Sequence, residues 1–470
     1  MMVRFNPTSC NPVSIGARTA VRSALCGLAF AALAPAAHAQ NLPLIRDTEI
    51  ENLLNDYARP IFHAAGLGSG RIKVRIVQND VFNAFVLDGR NVFIHTGTLM
   101  QAQTPNEVIG VIAHESGHIT GGHMAALRAR VAKDQTRALL AQILGIGLMV
   151  AGGVAGGGAA NDLGGAGQGI LYGGNEIVMR SLLAERRQQE SAADQAGLTV
   201  LNATKQSGRG MLTTFERFAQ QEYVSDAQKD AWARSHPLSS DRLARLRQLV
   251  ESSPYFAAKD PPQLQLRHDL MRAKLSGYLE RPQTVFNRYP PTDQTLPARY
   301  ARAIARFFEG GPGALEASLA EVDGLLRERP DNPYFWEVKG DLLMRAGKTH
   351  EAIPPLRQAV KLQPDANLIM VQLASALQAD GSAAATAEST VLLRKSLADD
   401  ENSRAYRLLA NNFYKEGKRP QADAMIAQAY FIEGDLKQAQ IFAKRAQSQL
   451  RAGTPEWLKN DDIINYKPET

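Results

Sequence analysis

His114-Glu115-Ser116-Gly117-His118 constrains the fold of this chain more than any other five residues. Two histidines four apart, with a glutamate beside the first, make the H-E-x-x-H pattern. Positions i and i+4 lie on one face of a helix, about one turn apart, so both imidazoles reach one divalent ion only if this segment is helical. Glu115 then stands next to the ion, placed to take a proton from a water held there. The residues upstream read as a helix start. Thr104 suits the N-cap, Pro105 the first helical position and Glu107 the reciprocal partner of a capping box, ahead of the apolar Val108, Ile109, Val111 and Ile112. The helix is expected to run past His118.

The remaining ligands must come from His, Asp or Glu. The only cysteines, Cys10 and Cys26, lie in the first 39 residues, so the rest of the chain offers no thiolate and needs no disulfide. His123 is one candidate. Gly121 fits a longer zinc pattern, but position 124 is Met and the histidine comes one residue early. On a continued helix, at roughly 100° per residue, His123 lies about 180° from His114 and faces away. It is read as a helix-surface residue. Glu190, in Glu190-Ser191-Ala192-Ala193-Asp194, is the better third ligand, on a second helix that completes a His2Glu site. Asp194, one turn on, is placed to accept a hydrogen bond from a liganding histidine. Ala192 and Ala193 let the two helices approach, and Glu185 is the runner-up ligand.

Residues 1–39 read as a cleaved secretory signal peptide, with a basic start ending at Arg22, an apolar run from Ser23 to Ala34, and Ala37-His38-Ala39 before the cut at Gln40. The formal charge of +6 includes Arg4, Arg18 and Arg22 of that segment. The remainder carries 50 basic and 47 acidic residues, too even a balance to point to a nucleic-acid partner. Apolar periodicity predicts a helix over 47–65. Strands are expected at Arg71–Gln78, Asn83–Leu87 and Asn91–His95, with a turn at Asp88-Gly89. From Ala138 to Asn161 there is no charge in 24 residues, seven of them glycine. The length would permit a membrane span. However, Glu190 must return to the metal held by His118, and Leu163–Asn175 is too short for a second crossing. The stretch 138–175 is therefore read as a lid or a membrane-surface loop. A charged helix is expected from about Glu176 to Leu201.

Beyond Pro254, Pro261 and Pro262 the chain turns rich in Ala, Leu and Arg, and it repeats. Trp336, Gly340, Leu343, Ala352, Leu356, Ala359 and Pro364 fall at the spacing of a 34-residue tetratricopeptide repeat. Tyr406, Leu409, Ala410, Phe413, Ala422, Ile426 and Ala429 follow the same template. Met370, Leu373, Ala374 and Leu377 fit its first helix, with an insertion expected near Gly381–Thr386. Degenerate helix pairs are expected over 265–330 and a terminal one over 435–450. The reading divides the chain into a signal segment 1–39, a metallopeptidase domain 40–255 and a repeat domain 256–470.

H-E-x-x-H followed some 70 residues later by E-x-x-A-D resembles the M48-type zinc metallopeptidases, or gluzincins. With the signal segment and repeat tail, the resemblance narrows to the periplasmic members of Gram-negative bacteria that act in outer-membrane barrel assembly. It implies an α+β, mostly helical fold, with a small β-sheet in the peptidase domain and an all-α repeat solenoid behind it. It implies zinc at His114, His118 and Glu190 with Glu115 as general base. It also draws attention to His236-Pro237 and Arg242, where His236 would block the metal as a fourth ligand or stabilise an oxyanion once moved aside. Asn83-Ala84-Phe85-Val86 would be an edge strand that pairs with extended substrate. Implied partners are unfolded or misassembled outer-membrane proteins, and the assembly machinery through the repeat domain. The alternative is a chaperone or adaptor whose peptidase site is latent.

Overall fold

A computed structural model describes residues 42–468, apart from 69, 71, 88, 127, 128, 130–183 and 220–230. The signal segment 1–39 and the glycine-rich stretch 138–175 lie outside the described residues. No helix among the described residues is long and apolar enough to cross a membrane.

The fold is mostly helical around one small sheet. The first helix, Thr48–Ala64, starts where Asp47 accepts from the Ile50 amide at 3.0 Å. It buries Ile50, Leu53, Leu54, Tyr57 and Ile61, the stripe its periodicity predicts. The sheet comprises β1 (Leu44–Ile45), β2 (Lys73–Val77), β3 (Ala84–Val86) and β4 (Asn91–His95), in the order β1-β2-β4-β3. β1 pairs antiparallel with β2, β2 parallel with β4, and β3 antiparallel with β4. The last pair is the expected hairpin, with Gly89 at φ +70° in its turn. β3 thus lies on an edge of the sheet. The preceding loop is pinned from the helix Thr96–Gln101. Thr96 Oγ1 donates to Asn79 O at 2.8 Å and Thr98 Oγ1 to Asn83 O at 2.7 Å. A Cβ on Gly97 would lie 2.1 Å from Asp80 O, so only glycine allows this approach.

The motif helix spans Pro105–Thr120, with Thr104 accepting from the Glu107 amide. Glu107 reaches back to the Gln103 amide at 3.0 Å, one residue before the cap, and its other oxygen pairs with Arg217 at 2.7 Å. Residues 184–203 form the second helix of the site. Ala193 packs against Gly117, where a Cβ would come within 2.7 Å of Ala193 O. Ala192 is exposed, so of the two alanines expected at this contact only Ala193 makes it. Gly197, one turn on, takes the next place, facing the Ala113 and His114 backbone at 3.1 Å.

Helix pairs follow from Pro262 onward. Leu296–Glu309 packs on Ala314–Glu328, Pro333–Arg345 on Thr349–Leu362, Asn367–Asp380 on Ala383–Asp399, and Ser403–Lys415 on Arg419–Ile432. Gly340 lies where any Cβ would strike Leu356, which accounts for glycine at this repeat position. The insertion expected near Gly381–Thr386 is not a loop. Gly381 and Ser382 alone separate two helices, and the extra length extends the second helix to 17 residues against 14 in Thr349–Leu362. The helix Pro262–Leu279 serves two cores, sending Met271 and Leu275 into that of the sheet and motif helix and Leu270 and Ala273 into the first repeat core. On this helix, buried Lys274 meets Asp47 at 2.8 Å, Glu337 at 3.1 Å and Glu49 at 3.3 Å.

Candidate metal centre

His114, His118, Glu190 and His236 converge, and one ligand atom from each lies within 4.8 Å of the others. All four are buried. The motif helix turns both its histidines the same way, with the Nε2 atoms 3.1 Å apart. The second helix brings Glu190 to 3.4 Å from His114 Nε2 and 3.5 Å from His118 Nε2. His236 follows the short helix Ala231–Ser235 and puts Nδ1 3.1 Å from both His114 Nε2 and Glu190 Oε2. Its Nε2 faces the Ala84 carbonyl at 3.3 Å, and its ring lies against Trp232, centroids 4.1 Å apart.

Around these four lies a ring of supporting groups. Asp194 Oδ1 is 3.0 Å from His114 Nδ1, on the side where a tautomer-fixing carboxylate is expected, as a close ion-pair contact that is not aligned as a hydrogen bond. Arg242 grips Asp194 with two hydrogen bonds of 2.6 and 2.7 Å, approaches Glu190 Oε2 at 3.1 Å and donates to Pro237 O at 2.8 Å. It therefore ties the His-Pro loop to the second helix. The sequence flags Arg242 only by its place after His-Pro; its buried bidentate pairing requires the fold. Glu185 lies on the cleft wall, outside the donor set.

His123 corrects the sequence expectation. The motif helix does not continue. It ends at Thr120, and a turn at Gly121-Gly122, with Gly122 at φ +62°, breaks the rotation before helix resumes at His123. His123 is buried, with Nδ1 3.0 Å from His118 Nδ1. The 180° argument fails because it extrapolates helical rotation through two glycines.

The electrostatics favour a cation. Burial opposes charge on His114, yet Asp194 and Glu190 outweigh it and raise its pKa to about 9. Burial and the neighbouring His114 lower His118 to about 2. Glu190 is held well below the usual carboxylate range, its burial overcome by His236 and His114. Glu115 is pushed up by burial, and its Oε1 makes no hydrogen bond but lies 3.4 Å from His236 Nε2, at the edge of the donor set. Two imidazoles and a carboxylate within ligand reach, an outer carboxylate beside one imidazole and a buried glutamate next to them fit a His2Glu zinc site.

A cleft of about 420 Å³ opens onto this cluster, lined by Phe85, Val86, Glu115, His118, His236 and neighbouring residues. Of the predicted edge strand, Ala84 offers its carbonyl, while Phe85 and Val86 form a wall. Asn83 has its backbone paired to Thr98 and reaches the site through its side chain, which accepts from Ser235 Oγ at 3.1 Å.

Residues 45–250 match the model of peptidase family M48, and residues 324–432 that of the cytochrome c-type biogenesis protein H TPR domain. The beta-barrel assembly-enhancing protease of Escherichia coli (strain K12) is 25% identical over 445 residues, covering 90% of this chain and 84% of that protein. Its Yersinia pestis counterpart is 24% identical over 438 residues, with the same shares covered. Metalloprotease LoiP of Escherichia coli (strain K12) is 28% identical over 198 residues, 41% of this chain and 70% of LoiP. With the motif helix, the second helix and the His-Pro loop all inside the matched span, residues 45–250 are similar to peptidase family M48, and a region similar to a TPR domain follows them.

Proposed function

We propose that this chain is a periplasmic zinc metalloendopeptidase that acts on unfolded or misassembled outer-membrane proteins. The observation that carries the reading is the convergence of His114, His118 and Glu190 beside buried Glu115, whose Oε1 makes no hydrogen bond. The relatives named for beta-barrel assembly support the client class. In this reading residues 1–39 are a signal peptide, 40–255 the peptidase domain and 256–470 a repeat domain that recruits clients or docks on the assembly machinery. The stretch 138–175 is assigned a peripheral membrane contact or a lid.

His114 Nε2, His118 Nε2 and Glu190 would hold the metal. Zinc supplies Lewis acidity toward a scissile carbonyl and makes water acidic enough to attack near neutral pH. Glu115 takes that water's proton and delivers it to the leaving amine. Its burial raises its pKa and suits it to carrying a proton between two acceptors. Asp194, held by Arg242, keeps His114 in one tautomer. An extended client adds to the edge of the sheet at β3, with Phe85 and Val86 beside it.

A second reading, a chaperone or adaptor with a latent peptidase, is favoured by one observation. His236 stands as near to His114 and Glu190 as a ligand would, while its Nε2 faces Ala84 O. One ring thus covers both the metal position and an acceptor that a client strand would use. Cleavage of an unfolded outer-membrane protein by zinc-loaded wild type, Glu115→Gln and His236→Ala tests both readings. The expected order is none for Glu115→Gln, slow for wild type and faster for His236→Ala. Equal cleavage by wild type and Glu115→Gln would remove Glu115 as the base. His236→Ala no faster than wild type would remove the plug.

A further inference from the structure

The sequence Gly121-Gly122-His123 is built to return one imidazole to the metal centre. Gly122 is left-handed, a conformation that side chains rarely adopt. A Cβ on Gly121 would lie 2.3 Å from His123 Nε2 and 2.7 Å from its Cδ2, so the missing side chain is the space the ring occupies. Folded back this way, His123 meets His118 nearly at right angles, rings 80° apart and Nδ1 to Nδ1 3.0 Å. Two imidazole nitrogens at that distance share one proton, with one donating and the other accepting. His118 Nε2 faces His114 and Glu190. Its proton therefore belongs on Nδ1, donated to His123 Nδ1, and His123 carries its own on Nε2.

We propose that His123 is a positioning residue for His118, holding Nδ1–H outward so that Nε2 presents its lone pair to the metal. The inference rests on the zinc-site reading above. It makes the two ligand histidines unequal. His114 is supported by a buried carboxylate, itself clamped by Arg242, whereas His118 is supported by an imidazole at the wall of the cleft. A carboxylate both orients a ligand and makes it more basic; a neutral ring orients it without adding charge.

The test uses purified protein with Zn²⁺ titrated against a chromophoric chelator, the visible spectrum of the Co²⁺-substituted protein, and the melting temperature without metal. His123→Asn places an amide oxygen where Nδ1 stood, and His123→Leu fills the space with no acceptor. His123→Leu is expected to weaken zinc binding about 10–100-fold and to change the Co²⁺ spectrum. His123→Asn should retain most of the affinity and the wild-type spectrum, at a similar metal-free melting temperature. Gly121→Ala displaces the ring and should follow His123→Leu. Wild-type zinc affinity and Co²⁺ spectrum in His123→Leu would overturn the proposal, as would a loss in His123→Asn equal to that in His123→Leu. A wild type that binds no stoichiometric zinc would overturn the metal reading itself, and the positioning role with it. That failure shows in the wild type alone and is not confused with the other two.

Discussion

Gly117→Ala tests whether the spacing of two helices sets the metal affinity. The added Cβ would lie 2.7 Å from Ala193 O and 2.8 Å from Ala193 Cα. Both are backbone atoms of the helix that carries Glu190, so no side chain can swing aside. Reaching an ordinary contact of 3.4 Å requires the helices to separate by about 0.7 Å. Metal–ligand distances tolerate only about 0.2 Å. Glu190 lies three residues from the point of contact and would be carried off its position. Overpacking of this kind costs about 1–3 kcal/mol, while alanine in place of glycine inside a helix recovers about 1 kcal/mol. The metal-free fold should therefore lose little. Zinc affinity, read by chelator competition, should fall at least about tenfold, or roughly 1.4 kcal/mol. Gly197→Ala provides the graded control, since its Cβ would meet Ala113 at 3.1 Å and needs only about 0.3 Å. Its loss should be smaller. Wild-type zinc affinity in Gly117→Ala, or a larger loss in Gly197→Ala, would refute the reasoning.

Two further outcomes follow from the charged groups. Arg242→Met leaves Asp194 buried without its two hydrogen bonds, and urea unfolding should show a loss of about 3–5 kcal/mol; a loss below about 1 kcal/mol, the worth of an exposed pair, would contradict the burial argument. Around Lys274, burial raises Glu337 from 4.5 to about 8, and Glu49 is raised as well. The folded state thus holds a proton that the unfolded chain gives up near pH 4.5. Stability from Glu337 is present below that pH and is lost as pH rises to about 8, by at most about 1.4 kcal/mol per unit for one proton. Glu337→Gln should flatten the fall in melting temperature across this window, and an unchanged slope would place the proton elsewhere.

The residues that converge at the candidate metal centre were legible where their spacing is local. His114, Glu115 and His118 need only a helical period, and Thr104, Pro105 and Glu107 mark where that helix begins. Glu190 and Asp194 follow from the same period on a second helix. Long-range closure was not legible. The parallel pairing of β2 with β4 depends on a loop pinned by Thr96 and Thr98, which no periodicity shows. The two-residue β1 is too short to carry a pattern. His123 was misplaced because a pair of glycines breaks the rotation on which the argument relied. In the repeats, two or three extra residues leave the same sequence trace whether they bulge as a loop or lengthen a helix. The longer Ala383–Asp399 helix could only be told from an insertion by its backbone.

The helix Pro262–Leu279 bears on how such a chain could be divided or rearranged. Its adjacent residues Leu270 and Met271 point into different cores. Cutting the chain before this helix removes Met271 and Leu275 from the sheet-side core, and cutting after it removes Leu270 and Ala273 from the first repeat. Neither half can be excised with its interior whole. A graft that exchanges repeat regions between relatives would have to join beyond Leu279, and the transplanted helices would inherit this one as their first wall. Mechanically the helix is a splice rather than a hinge: a pull on the repeat array is delivered to the packing beneath the sheet instead of being absorbed in a slack tether.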